Sequence, residues 1–356
     1  MPSQNLTLVF KAIPEAVPEP GKHIVVEDHP IDLDADIPSD HVLLEHLYAS
    51  LDPYMRGRLR DPKIKSYSPA FDLGKPMSGF AIAKVLKSTS DKFQPGDIVY
   101  GGLNVQQYTV FPANAGSAFS SIPPLHKLYN PYGITDLRHF LGCLGMPGLT
   151  AYSSLYEIGK PRKGETIFIS SAAGAVGQVV GQVCKHEGLT VIGSVGSDEK
   201  LKFITEDLGF DAGFNYKKES PSTALQRLAP NGIDIYYENV GGEHLEAALE
   251  ALNDFGRIVT CGMISEYNKP RDQRYGIKNL TNIVSKRLTM RGFIVGDKNM
   301  GPIHYKAHQE NIGKWLKDGT FKAKVDELGT LKTAAEAFVG MLQGKNFGKA
   351  ILNCQG

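Results

Sequence analysis

The order of segments after residue 165 constrains the fold more than any other feature of the chain. From Glu165 to Lys185 it reads E-T-I-F-I-S-S-A-A-G-A-V-G-Q-V-V-G-Q-V-C-K. A strand-like run, Glu165 to Ser170, meets a turn of small residues and then a helix-like run, Ala175 to Lys185. The order then repeats. Thr190–Val195 reads as a strand, and the next helix opens on a Ser197 cap and closes at Gly209. G-F-N-Y is a short strand, I-D-I-Y-Y-E-N-V another, a helix follows from about Glu243 to Leu252, and G-R-I-V-T-C-G is the next strand. Near-continuous apolar strands alternating with helices call for a parallel sheet covered on both faces. The right-handed crossover rule makes it a doubly wound, Rossmann-like α/β sheet.

The turn itself is almost a phosphate-binding loop, but Ala172 stands where G-x-G-x-x-G has its first glycine. Gly174 lets the backbone approach a pyrophosphate. Gly177 permits close helix–strand packing, and Ala175, Val176 and Gly177 bring helix-terminal N–H groups to the anion. A tight corner in any α/β protein has the same texture, so the turn alone leaves both readings open. The end of the second strand leaves the cofactor open as well. Asp198 and Glu199 suit a ribose hydroxyl or the helix dipole, whereas Lys200 suits a 2′-phosphate.

Residues 1–125 have a different texture, rich in Pro, Gly and short β-branched runs. L-T-L-V-F, H-I-V-V-E, H-V-L-L-E-H-L-Y-A-S, G-F-A-I-A-K-V-L and D-I-V-Y-G each read as strands bounded by turn residues. The tail from about 310 carries one long helix, Thr333 to Leu342, and a strand-like N-F-G-K-A-I-L. These divisions predict a β-rich domain over 1–125, to which 311–356 returns, and a nucleotide-binding domain over 126–310. A chain of 356 residues is long enough for two such domains.

Charge and cysteine usage narrow the function class. A net charge of +1 gives no bulk attraction to nucleic acid or an anionic membrane. Cys143, Cys184, Cys261 and Cys354 are far apart, which fits a reducing cytosol better than a secreted scaffold. The stretch M-P-S-Q-N-L-T-L-V-F-K has neither the charged nor the apolar region of a signal peptide, and no apolar run approaches the roughly 20 residues of a membrane span. A cytoplasmic protein is expected. His23, His29, His41, His46 and His126 have no useful ligand spacing, and Cys143 reads as a buried thiol, so no zinc is expected.

Several stretches together resemble the medium-chain dehydrogenase/reductase superfamily. They look most like its zinc-independent branch of NADPH-dependent double-bond reductases, which includes prostaglandin reductases and plant and bacterial enone reductases. The matches are L-D-P-Y-M-R at 51–56, P-G-D-I-V at 95–99, G-M-P-G-L-T-A-Y at 145–152, A-A-G-A-V-G at 172–177, G-S-D-E-K at 196–200, Y-Y-E-N-V-G-G at 236–242, C-G-M-I-S-E-Y-N at 261–268 and N-F-G-K at 346–349. L-D-P-Y-M-R and E-N-V-G-G are the most specific. Zinc-bearing relatives carry G-H-E upstream of the P-G-D turn, where this chain has M-S-G-F-A. Ser171 stands where alanine is common and Glu238 where Asp is usual; both changes are expected to be tolerated.

The resemblance implies a GroES-like β domain, a Rossmann-like domain, NADPH as cofactor, and a site between the two. It also implies roles for individual residues. Gly174, Ala175, Val176 and Gly177 would hold the pyrophosphate, and Ser197, Lys200 and Tyr216 the 2′-phosphate side. Asn239 would lie near the ribose, and Cys261, Gly262, Ile264 and Tyr267 would line the nicotinamide half. Phe293, Ile294 and Val295 would present backbone to the carboxamide, and Asn346 and Gly348 would reach the cofactor from the tail. Tyr54, Met55, Arg56 and Tyr275 would meet the substrate, a small enone or enal. Hydride attack on its β-carbon builds charge on the carbonyl oxygen, and Tyr267, with Tyr54 shaping the pocket, would stabilise it. A quinone or alcohol oxidoreductase, or a non-catalytic NADPH-binding protein, stays open on the same scaffold. A homodimer is expected through the Rossmann-like domain.

Overall fold

The proline- and glycine-punctuated runs of the first domain pair as half-buried strands. The computed structural model describes residues 2–115 and 124–355; the remaining residues of the expected domain ranges lie outside the described residues. β1 (Leu6–Phe10) and β2 (Ile24–Asp28) form an antiparallel ribbon. β3 (His41–Ser50), β4 (Ser78–Ser88) and β5 (Ile98–Asn104) pair antiparallel in sequence, with β6 (Tyr108–Pro112) along β3 and the short β7 (His126–Lys127) on β5. Alternate side chains of these strands turn into a core around Leu8, Phe10, Val42, Leu44, Ala83 and Val99, all fully buried.

The apolar runs after residue 165 form a separate sheet with every strand parallel. β8 (Thr166–Ile169), β9 (Thr190–Val195), β10 (Ala212–Asn215), β11 (Ile233–Glu238), β12 (Leu252–Thr260) and β13 (Thr289–Gly292) stand in the order β10-β9-β8-β11-β12-β13. Buried residues on both faces explain the unbroken apolar pattern. On one face Phe168 stacks on Tyr236 with centroids 5.1 Å apart and on Phe214 at 5.8 Å. The chain winds outward in one direction from β8 and in the other from β11. The carboxyl ends of β8 and β11 are therefore the switch point where a doubly wound sheet opens a crevice.

β14 (Val325–Thr330) and β15 (Lys349–Asn353) then rejoin the first sheet, with β15 antiparallel to β3. Phe338, on the helix Ala334–Leu342, is buried in the first core.

The division into compact units differs from the sequence reading. One unit holds 1–141, 326–346 and 350–356, and the other holds 142–325 and 347–349. The boundary falls after 141 instead of 125 because the 3₁₀ turn Leu137–Leu141 packs on β3 and β4 and Arg138 pairs with Glu327 at 2.6 Å. It falls at 325 instead of 310 because of an eighteen-residue helix, Gly301–Asp318, which the sequence reading leaves out. Its buried face carries His308, Gln309 and Gly313, which breaks the apolar periodicity that marks a helix. Those polar groups are satisfied: His308 Nε2 donates to the Cys143 carbonyl and Gln309 Nε2 to the Leu144 carbonyl, each at 2.8 Å.

Among the buried imidazoles, burial pushes His46, His244 and His308 each down to about 4. The unfolded chain protonates these groups as pH falls through about 6.5, whereas the folded chain resists until about 4. Their stabilising contribution is therefore complete above the first value and is lost between the two, by up to about 3 kcal/mol per group. His46 is the cleanest case, since neither ring nitrogen has a hydrogen-bond partner. Urea denaturation at pH 7 and pH 5 is expected to show a marked loss at the lower pH, and His46→Leu is expected to reduce that loss.

Candidate active site

The glycine turn shows why Ala172 is accepted. The Ala172 methyl is fully buried against Gly193 of β9, where a Cβ would come within 2.7 Å of it. The glycine missing from the turn has its counterpart on the neighbouring strand. Ala172 N–H donates to the Ser194 carbonyl at 2.9 Å, and Gly174 N–H to the Ser171 carbonyl at 2.9 Å, which closes the turn. Gly177 cannot be replaced so simply: a Cβ there would lie 2.4 Å from the Ser171 carbonyl oxygen and 2.8 Å from Ala172 Cα. The helix Gly177–His186 starts after Val176 with no side chain capping it. Gln178 and Val179 N–H already donate to the Gly174 and Val176 carbonyls at 3.1 and 3.0 Å, so the backbone at Ala175–Gly177 is the part that suits an anion arriving from outside the helix. These features fit a pyrophosphate.

At the tip of β9, Ser197 caps the next helix by accepting from Lys200 N–H at 3.2 Å. Asp198 is held on the far side of that helix start. Its carboxylate accepts from Asn215 Nδ2 at 2.9 Å and pairs with Lys218, and these contacts hold it below the usual carboxylate range. Tyr216 covers Gly196, where a Cβ would be 3.2 Å from the tyrosine oxygen, and meets the edge of His244 at 5.4 Å. Its ring is 44% exposed. Ser197, Lys200 and Tyr216 thus share the strand tip, with the Asp198 carboxylate already engaged. That arrangement suits a phosphate better than a free ribose hydroxyl.

The third wall begins at the end of β11. Asn239 donates from its backbone to Ser170 Oγ at 2.9 Å and from Nδ2 to the Ser170 carbonyl at 2.8 Å. The segment after β12 runs beside it: Gly262 N–H donates to the Glu238 carbonyl at 3.0 Å and Ile264 N–H to the Asn239 carbonyl at 3.2 Å. Cys261 is half-buried, and desolvation raises its thiol pKa to about 12. Tyr267 folds back over this segment, its hydroxyl oxygen accepting from Met263 N–H at 3.2 Å. Glycine at 262 makes room for it, since a Cβ there would be 2.8 Å from that oxygen. Phe293, Ile294 and Val295 leave the end of β13 in a turn held by Ile294 N–H to Asp297 at 3.2 Å and Gly301 N–H to the Val295 carbonyl at 2.8 Å.

The sequence reading missed Glu266. Its carboxylate accepts from Tyr275 N–H at 2.9 Å and pairs with Lys269 at 3.0 Å, bracing the segment between Tyr267 and Tyr275. Tyr275 itself packs over Gly242, with its hydroxyl against Glu246. Gly348, at φ +88°, fits where a Cβ would be 2.2 Å from the Lys324 carbonyl. Asn346 lies in the turn after the helix Ala334–Leu342.

In the first unit, Tyr54 opens a short helix, Tyr54–Arg58, with Pro53 at its N-cap. Burial, and then the nearby Asp52, push the Tyr54 pKa up, so the phenol keeps its proton. The nearby Arg58 charge acts against that rise; Arg58 donates to the Ser78 carbonyl at 2.8 Å and stacks over Phe71 at 3.8 Å. Two expected substrate contacts are committed elsewhere in this unit. Met55 is fully buried beneath Gly79, and Arg56 donates to the Ala16 carbonyl at 2.7 Å. The alternation of a one-turn helix sends those side chains into the core and the N-terminal loop.

The chain matches two family models, one described as a zinc-binding dehydrogenase over residues 175–307 and one as the N-terminal domain of an oxidoreductase over 7–118. It is 52% identical over 349 residues to the NADP-dependent oxidoreductase RED1 of Cochliobolus heterostrophus, covering 98% of this chain and 97% of that one. It is 42% identical to a NADP(+)-dependent 2-alkenal reductase of Nicotiana tabacum, over 88% of this chain and 87% of that one. The crystal structure of CurA in complex with NADPH from Vibrio vulnificus matches with a TM-score of 0.86 and 32% identity, covering 99% of both chains. The chain belongs to the zinc-independent medium-chain dehydrogenase/reductases. This medium-chain reductase is an NADP-dependent oxidoreductase with a Rossmann-like and a GroES-like domain. Although the first family description names zinc, the stretch that carries Gly-His-Glu in zinc-bearing relatives is Met77-Ser78-Gly79-Phe80-Ala81 here, largely core-packed on β4. Among the described residues no three His, Cys, Asp or Glu side chains are grouped to hold a metal.

A lysine–phosphate hydrogen bond involves a charged donor and is worth about 1.5–3 kcal/mol. Lys200→Ala is therefore expected to raise the NADPH dissociation constant by about 10- to 100-fold. NADH affinity is expected to change far less. Fluorescence titration with both cofactors checks this, and equal binding of both by the wild type would contradict the phosphate assignment.

Proposed function

We propose that the protein reduces the carbon–carbon double bond of α,β-unsaturated aldehydes and ketones. NADPH, when bound, supplies the hydride that reaches the β-carbon. The chain's own task is to hold the cofactor and to meet the negative charge that develops on the substrate's carbonyl oxygen. The observation that carries this reading is the Tyr267 hydroxyl. Its oxygen is already an acceptor for Met263 N–H at 3.2 Å. Its proton is thereby directed away from that backbone N–H, and we assign the hydroxyl to the enolate oxygen. Tyr54 is the second candidate hydroxyl, kept protonated by burial. Gly174–Gly177, Ser197, Lys200, Tyr216, Asn239, Cys261, Gly262, Ile264 and Phe293–Val295 are assigned to the cofactor, with Asn346 and Gly348 from the tail. Tyr54 and Tyr275 are assigned to the substrate. The similarity to a 2-alkenal reductase supports the substrate class.

The four free cysteines suit a reducing cytosol, and no described helix is long and apolar enough to cross a membrane. We also assign a homodimer formed through β13. This strand is the open edge of the parallel sheet, and Val284, 80% exposed, precedes it. An uncovered edge with a large apolar side chain beside it suits pairing with a second copy.

An NADPH-consumption screen over enals and enones of graded size, with a quinone and a secondary alcohol as comparators, is expected to give turnover on the enones. Preference for the quinone or the alcohol would overturn the substrate class. Tyr267→Phe is expected to lower kcat by about 10²-fold at a saturating enone, the scale of a lost oxyanion donor. Light scattering is expected to give twice the mass of 38.8 kDa for the wild type and the monomer mass for Val284→Arg.

A further inference from the structure

One buried carboxyl beneath the cofactor turns has no role in the proposal so far. Glu238, at the end of β11, is 0% exposed. All of its hydrogen bonds converge on one oxygen. Oε1 accepts from the Tyr236 hydroxyl at 2.8 Å, Val240 N–H at 2.7 Å and Gly241 N–H at 2.8 Å, with Ser170 Oγ at 3.4 Å. Oε2 is buried with no partner. A buried carboxyl costs free energy that an apolar side chain would not, so packing alone does not account for it.

Its partners do. Ser170 is the residue immediately ahead of the turn 171–177. Ser170 also accepts twice from Asn239, on Oγ at 2.9 Å and on its carbonyl at 2.8 Å. Tyr236 adds a third link, its hydroxyl reaching Ser170 Oγ at 3.1 Å. Gly241 and Gly242 bend the following segment back with φ of +79° and +56°, and the two N–H groups bound to Oε1 hold the entry to that bend.

We propose that Glu238 is a positioning residue that locks the pyrophosphate turn 171–177 and the Asn239 turn 239–242 into one preformed cradle for NADPH. It touches no cofactor atom itself and acts by fixing Asn239 against Ser170. This inference rests on the assignment of Asn239 as a cofactor contact, but not on the enone substrate.

Direct NADPH titration of purified variants, with no substrate present, tests it. Glu238→Ala and Asn239→Ala are each expected to raise the NADPH dissociation constant about 10-fold, the usual effect of losing one such hydrogen bond. The double variant is expected to be no weaker than about 10-fold, because both changes undo the same contact and coupled sites are not additive. Glu238→Gln keeps an acceptor oxygen in place of Oε1 and is expected to rescue binding. Glu238→Leu, which fills the space without an acceptor, is expected to bind as weakly as the alanine variant, and it carries the test if Glu238→Ala does not fold. An unchanged constant in Asn239→Ala overturns the contact assignment. A weakened Asn239→Ala beside an unchanged Glu238→Ala overturns the joint. So does a double variant whose loss is the product of the two single losses, or a Glu238→Gln that binds no better than Glu238→Leu.

Discussion

The reversal of winding between β8 and β11 is the constraint on which the nucleotide site depends. Neighbouring parallel strands normally send their following helices in one direction around the sheet. Here the chain leaves β8 toward β9 and β10, and leaves β11 toward β12 and β13. The two turns that follow are forced apart at their tips, while their bases stay within hydrogen-bonding distance through Ser170, Tyr236, Glu238 and Asn239. Everything assigned to the cofactor in this unit, except Gly348 from the tail, sits on a segment leaving the carboxyl end of a strand. The chemistry-bearing positions are therefore set by topology first and by side-chain identity second.

Much of this was legible in the sequence because it depends on local, periodic signals. The strands Thr190–Val195 and His41–Ser50 follow from largely buried runs rich in apolar residues, and the Ser197 cap from a serine placed just ahead of a helix. The turn Ser171–Gly177 was legible through its glycines, since a Cβ at 177 has no space. The family resemblance was legible because L-D-P-Y-M-R and E-N-V-G-G are long enough to be specific.

The remainder was hidden wherever tertiary contacts decide what a polar residue does. The helix Gly301–Asp318 has a buried histidine and glutamine, which read as solvent-facing until the carbonyls of Cys143 and Leu144 are seen opposite them. Arg56 is charged and sits in a specific motif, but nothing local reveals that the Ala16 carbonyl, forty residues earlier, takes its guanidinium. Glu238 was visible only as a longer replacement for aspartate. Its function as a multiple acceptor requires the Ser170 side of the sheet, which is sixty-eight residues away in the chain.

The state of the thiols has a consequence for the enzyme's own survival. Soft electrophiles and oxidants attack thiolates far more readily than thiols. Burial pushes the thiols of Cys184, Cys261 and Cys354 well above the range in which a thiolate is populated at neutral pH, and Cys143 is buried as well. The same packing that makes the cores thus keeps these thiols protonated and closes off Cys143, Cys184 and Cys354. A well-packed interior serves such thiols as chemical armour.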